Sequence, residues 1–263
     1  PENGCQRVDM LFVLDSSASM IEERQALAAT NAFTAIVDTL AGINGGGIEY
    51  RIAVSDDKDG GYEVPPGWSG DPWFDSTELT VDEIADAFNG AVGQISGEPA
   101  IGCEHVLTSA VDLLDGDGSG FVRDDALLVL VLVTDVDDYG AYDQQGGNSC
   151  GIGCATAPSP VATLLGTLVD GVKGGQEGSV AAIVVAGDPT VNDGLNFCGQ
   201  PGSCGCTQLD CAIFHADRLW ELTDSLGVNG YAADLCTVAV PDAVETALTA
   251  SIDLACQNFE PEG

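Results

Sequence analysis

The chain has 263 residues, 45% of them hydrophobic, enough for one well-packed α/β core. Seven basic residues stand against 42 acidic ones, a formal charge of −35. Such a surface repels phosphate backbones and anionic membranes, which excludes nucleic acid as a partner, and no run approaches the roughly 20 apolar residues of a membrane-spanning helix.

Val8 to Leu14 is a continuous apolar run ending at Asp15, which predicts a strand buried on both faces. A helix is expected over Glu22 to Leu40, with Leu27, Phe33, Ile36, Val37 and Leu40 at helical spacing. Ile48, Tyr50, Ile52 and Val54 alternate as a strand, and Asp56 to Phe74 is a Gly-, Pro- and Asp-rich loop. Thr80-Val81-Asp82-Glu83 is a capping box opening a helix that carries Ile84, Phe88 and Val92 on one face. A helix from near Glu104 to Leu114 leads to the most apolar strand, Ala126 to Thr134, which ends at Asp135.

After a Gly-rich loop come a helix (Val161 to Val172), a buried strand (Val180 to Ala186) and a Cys-rich loop. A helix (His215 to Ser225), a short strand (Gly230 to Ala233) and a last helix (Asp242 to Ala255) complete the chain. Alternating strands and helices with fully apolar strands predict an α/β fold: a Rossmann-like, doubly wound, mostly parallel central sheet with helices on both faces. Ligands of such sheets bind beyond the carboxyl ends of the strands, where Asp15 and Asp135 both lie. The expectation is a single domain over residues 1–263 with Cys-rich insertions at about 140–158 and 190–213.

The acids are scattered, which suits solubility in salt water; cation affinity spread over the surface is the sharper alternative. The ten cysteines favour structural disulfides and an oxidising compartment. The spacing Cys198, Cys204, Cys206, Cys211 would also allow zinc, although it lacks the paired C-x2-C of common zinc knuckles. Pro1 to Cys5 carries no basic or apolar leader, as expected of the processed form of an exported chain, and leaves room for a lipid anchor upstream.

Asp15, Ser17 and Ser19 alternate in the loop leaving the first strand. A tight loop turns them inward and offers one carboxylate and two hydroxyls, hard oxygen ligands suited to Mg²⁺ or Ca²⁺ rather than Zn²⁺. Capping of the following helix is the simpler alternative. Asp115-Gly116-Asp117-Gly118-Ser119-Gly120 looks like the start of a calcium loop, but Ala126 stands where an EF-hand needs Glu, so a surface turn is expected. Asp137 and Asp138 are expected to be solvated acids beside the main site, with a second cation as the alternative.

The entry strand with its D-x-S-x-S loop, Leu132-Val133-Thr134-Asp135 and the order of elements resemble the von Willebrand factor A family over nearly the whole chain. The resemblance implies a metal ion-dependent adhesion site built by three loops. Asp15, Ser17 and Ser19 match the first loop and Asp135 the third. Phe121-Val122-Arg123-Asp124-Asp125-Ala126 leading into Asp135-Val136-Asp137-Asp138, and the stretch from Arg218-Leu219 to Asp234-Leu235-Cys236, are similar to a bacterial envelope subfamily. The second loop departs from the family. Where a threonine ligand is usual, this chain has Ile101-Gly102-Cys103-Glu104-His105, and Thr108 falls inside the helix. Glu104 is therefore expected to ligate the ion in its place; the alternative is that it only complements the helix N-terminus. Because the family's termini lie close together, Cys5 is expected to pair with Cys256; Cys211 with Cys236 is the next choice.

The resemblance implies a secreted or cell-envelope binding module, a monomer without enzymatic activity, that meets a protein or glycan through a bound divalent cation, Mg²⁺ or Ca²⁺. Its metal ligands would be Asp15, Ser17, Ser19, Glu104 and Asp135. Three ligand carboxylates over-neutralise a dication, which favours Ca²⁺, ties metal binding partly to stability and weakens capture of acidic ligands. The alternatives are a metal-dependent phosphoester hydrolase, for which His105 and His215 lack a Ser or Cys partner at motif spacing, and an envelope protein with a purely stabilising metal.

Overall fold

The computed structural model describes residues 4–58, 61–95, 104–139, 158–195, 202–204 and 213–259. Five strands form the parallel body of one sheet: β1 (Arg7–Leu14), β2 (Glu49–Asp56), β5 (Leu127–Val133), β6 (Val180–Ala186) and β7 (Gly230–Asp234). Two short strands inside the expected loop, β3 (Tyr62–Glu63) and β4 (Phe74–Asp75), pair antiparallel with β2. The order β3-β2-β1-β5-β6-β7 is the doubly wound arrangement expected, with its switch point between β1 and β5.

Both faces are covered, which is why the central strands read as unbroken apolar runs. Met10, Phe12 and Leu14 face one core with Val129, Val131, Val133 and Ile183; Leu11 and Val13 face the other with Leu128, Leu130, Leu132 and Val184. The first core is closed by α1 (Ile21–Ala28), α2 (Thr30–Gly42), α3 (Val81–Val92), α7 (Val240–Ala247) and α8 (Asp253–Asn258). The second is closed by α4 (Val106–Leu114), α5 (Val161–Gly166, continued by π-helical turns over Thr167–Val172) and α6 (Asp217–Leu226).

The single helix expected over Glu22 to Leu40 is two helices, broken at Ala29, whose ψ of 123° is extended. Neither Pro nor Gly marks the break; the apolar stripe does. At 100° per residue, Arg24, Leu27 and Ala28 lie about half a turn from Phe33, Ile36, Val37 and Leu40, so a straight helix would bury only one set. The break turns both inward, and Phe33 stacks on Phe88 with ring centroids 3.6 Å apart. The last helix is also longer than expected, starting at Val240 and passing through π-helical turns over Leu248–Ile252.

The capping box forms as expected: the Thr80 hydroxyl accepts from Glu83 N–H, and Glu83 accepts from Thr80 N–H at 2.9 Å. Thr80→Ala should cost about 1 kcal/mol of stability in urea unfolding. A loss below ~0.3 kcal/mol would show that packing alone holds this helix end.

Cys5 pairs with Cys256 as expected and ties the start of β1 to α8. Cys236 pairs with Cys204 rather than Cys211, which corrects the second expected pairing and removes Cys204 from a zinc set. Cys204 lies in the short segment whose Gly202 bridges Phe214, so tertiary contact brings it to the end of β7. Cys103, Cys150, Cys154, Cys198, Cys206 and Cys211 lie outside the described residues. The Asp115–Gly120 segment is the surface turn expected: Asp117 accepts from Ser119 N–H at 2.9 Å and from the Tyr62 hydroxyl at 2.8 Å.

Candidate metal centre

β1 and β5 lie side by side, so the loops that leave their carboxyl ends meet. Asp15 N–H donates to the Val133 carbonyl at 3.0 Å and holds the first residue of one loop against the end of the other strand. The Asp15 side chain is fully buried. Its Oδ1 accepts from Ser17 N–H at 2.7 Å, closing the tight turn, and its Oδ2 accepts from the Thr134 hydroxyl at 2.8 Å. The hydroxyls of Ser17 and Ser19 lie 2.8 Å apart, and that of Ser19 is near enough to Asp135 to favour its ionised form. Beyond β6, Gly187 is needed because a Cβ there would overlap the Phe214 carbonyl, and this close approach lets Phe214 N–H donate to the Asp135 carbonyl at 2.8 Å.

Glu104, directly before α4, is buried, and its charge acts on both Asp15 and Asp135. Asp15, Ser17, Ser19 and Asp135 thus meet at the carboxyl ends of β1 and β5, with Glu104 near enough for its charge to reach both carboxylates. Two further residues belong to the cluster. Asp57 follows β2, the other neighbour of β1; it is buried, and its Oδ1 accepts from Ser16 N–H at 2.8 Å. Arg24 reaches back from α1 and donates to the carbonyls of Asp15 and Ser17, the latter at 2.9 Å. A signal existed for each: an acid one residue past a strand that neighbours β1, and an arginine inside an otherwise apolar helical stripe.

Burial, and then the charge of Glu104, push Asp15 up to about 6. Burial and Asp15 push Asp57 up to about 6. Burial followed by Asp15 drives Asp135 well above the ordinary carboxylate range. Fully ionised, these three with Glu104 exceed the one guanidinium by three negative charges, which a divalent cation would cut to one. The donors are all hard oxygens, so the residues present fit such an ion. Among the described residues no three Asp, Glu, His or Cys side chains form a ready ligand group. The loops are instead linked through serine hydroxyls, and oxygens from both residue types would share the ion.

Asp137 and Asp138 are not solvated, contrary to expectation; both are buried. Asp137 accepts from Arg218 N–H at 3.0 Å and Leu219 N–H at 3.2 Å, so it caps α6 from outside that helix. Asp138 does the same for α4, accepting from Leu107 N–H and Thr108 N–H, both at 2.9 Å. Each helix begins after a residue, Ala216 or His105, that makes no side-chain cap. The unsatisfied amides of a helix N-terminus offer a buried carboxylate hydrogen bonds in place of water. Burial nonetheless pushes Asp137 up to about 7. His105 stacks on Tyr139 with ring centroids 4.8 Å apart, and His215 bonds the Val191 carbonyl at 2.8 Å.

No family model and no curated protein matches the chain. Among solved structures, it is similar to proximal thread matrix protein 1 from the mussel byssus with a zinc-occupied MIDAS motif, at 17% identity and a TM-score of 0.44, covering 97% of this chain and 49% of that one. It is also similar to the human COPII-coat protein Sec24c, at 11% identity and 0.45, covering 97% and 33%. The pilus adhesin SpaC from Lactobacillus rhamnosus GG aligns at 15% identity and 0.43, covering 98% and 31%. The chain thus spans half or less of these structures. The fold itself is the doubly wound, mostly parallel sheet, with the D-x-S-x-S loop leaving β1 and Asp135 leaving the adjacent β5.

Proposed function

We propose that this chain is a non-enzymatic binding module, secreted or on the cell envelope, that meets a protein or glycan through a divalent cation. What supports this reading is the meeting of the Asp15-Ser17-Ser19 loop with Asp135 at the switch point of the sheet, under the charge of Glu104 and with carboxylate charge left unbalanced by Arg24. These five residues would hold the ion, and when bound it would supply positive charge that polarises an oxygen of the partner. Their negative excess favours Ca²⁺, which accepts more and less regular oxygen ligands than Mg²⁺. It also favours a neutral partner oxygen, a hydroxyl or an amide, over a carboxylate.

Two disulfides among the described residues, Cys5–Cys256 and Cys204–Cys236, support an oxidising compartment. No single described helix is long and apolar enough to cross a membrane.

Calorimetric titration of Ca²⁺ and Mg²⁺ tests the site. Glu104→Ala should weaken binding by more than about threefold, ~0.7 kcal/mol; a smaller loss removes Glu104 from the ligand set. Pull-downs on immobilised protein test the adhesive role, since partners retained unchanged in EDTA would leave the metal with a stabilising role alone.

A further inference from the structure

Glu104 stands where the von Willebrand factor A resemblance implies a threonine, and something must hold its loop against the cation site. Asp138 is fully buried and accepts four hydrogen bonds. Its Oδ1 takes Leu107 N–H and Thr108 N–H, and its Oδ2 takes the Thr108 hydroxyl at 2.9 Å and the Arg218 guanidinium at 3.2 Å. The next residue, Tyr139, adopts a left-handed φ of 57°, rare for an aromatic residue. In that conformation its N–H donates to the Glu104 carbonyl at 3.5 Å and its ring stacks on His105.

Two consecutive residues of the third loop, three and four positions beyond Asp135, thus grip the second loop from the Glu104 carbonyl to Thr108. We infer that Asp138, seconded by Tyr139, is the positioning residue that presents Glu104 to the cation site; this rests on the metal reading above. The same geometry commits Thr108. Its hydroxyl and its N–H both go to Asp138, so it serves the carboxylate that aims Glu104. Asp137 is the natural comparison, because it caps α6 in the same manner without touching the Glu104 segment.

The test is a double-mutant cycle read by calorimetry with Ca²⁺ alone, alongside urea unfolding. Asp138→Asn should weaken binding about tenfold in the wild-type background, the size usual for groups that orient metal ligands. In the Glu104→Gln background the same change should cost less than about twofold, because the group it aims is gone. Thr108→Val should cost less than Glu104→Gln does, and Asp137→Asn should lower stability with no dependence on Glu104. If Asp138→Asn does not fold, Tyr139→Gly, which keeps the left-handed backbone and removes the ring from His105, should show the same Glu104 dependence. Equal losses in both backgrounds would overturn the inference and leave the metal site standing. A Thr108→Val loss as large as that of Glu104→Gln would also overturn it, by making the threonine a ligand. Wild-type protein that binds no Ca²⁺ would remove the metal reading itself.

Discussion

Arg123→Ala should destabilise the protein by about 3–5 kcal/mol, the cost of leaving a buried charge without its partner. The charge is Asp9, in β1 at the end of the sheet remote from the candidate metal centre. Its carboxylate is completely buried and accepts from Arg123 N–H at 2.7 Å and from the Arg123 Nε at 2.9 Å. The same guanidinium donates to the carbonyls of Val8, at 3.2 Å, and Glu49, at 3.3 Å. Behind it, the buried Lys173 ammonium donates to the carbonyls of Arg123, Asp124 and Ala126, at 2.6, 3.0 and 2.7 Å, and fixes the turn that delivers Arg123.

Burial raises the Asp9 pKa even with Arg123 beside it, so the pair is not a net gain over an apolar pair of the same shape. Breaking it differs from replacing it. The double variant Asp9→Asn with Arg123→Met should recover more than half of the loss, and Arg123→Lys should fall between, since a point charge cannot reproduce the forked contact. Urea unfolding decides. A loss below ~1 kcal/mol for Arg123→Ala would mean that water reaches Asp9 and satisfies it.

The contrast between the two ends of the sheet shows what the sequence made legible. The strands of the body were plain because apolar runs buried on both faces have few other readings. β3 and β4 were hidden because two residues carry no periodicity. The break at Ala29 was visible in principle, since the stripe changes sides between Ala28 and Phe33, but counting apolar residues without tracking their angle merges the two helices.

At the site, Asp15, Ser17, Ser19 and Asp135 could be read because their spacing sits directly after recognisable strands. Asp57 and Arg24 could not be read as easily: Asp57 joins the cluster through Ser16, distant in sequence, and Arg24 through backbone carbonyls, which no side-chain spacing reveals. Asp137 and Asp138 were misread for the same reason. An Asp-Asp pair after a strand looks solvated until the fold brings two uncapped helix ends to it. The Cys204–Cys236 pairing was likewise decided by tertiary contact that spacing does not encode.

Charge crowding at the metal centre gives the second large effect, and its sign is opposite to that of ordinary carboxylates. Asp15 and Asp57 are each raised from 3.8 to about 6 in the folded protein. Between those values the folded chain keeps protons that the unfolded chain has lost, so metal-free stability falls as pH rises from about 4 through about 6, and the raised Asp135 and Asp137 carry the fall to higher pH. A shift of this size on one group corresponds to about 3 kcal/mol. Added Ca²⁺ competes with those protons, so its stabilisation should be small near pH 4.5 and should grow until about pH 7.

The overall charge of −35 also lowers stability as pH rises, but the two contributions separate. Surface repulsion is screened by salt, whereas repulsion among buried groups is screened much less. Thermal melts in about 0.5 M NaCl should therefore keep the site's share of the fall. Asp57→Asn isolates it further, because an amide oxygen can still accept from Ser16 N–H. In EDTA at pH 7 this variant should be more stable than wild type by about 1–3 kcal/mol, and near pH 4.5 the two should nearly coincide. With saturating Ca²⁺ the advantage should shrink, as the ion neutralises in the wild type what the substitution removes. A variant less stable than wild type at pH 7 in EDTA would mean that the Asp57 charge is stabilised by Arg24 more than it is repelled by Asp15.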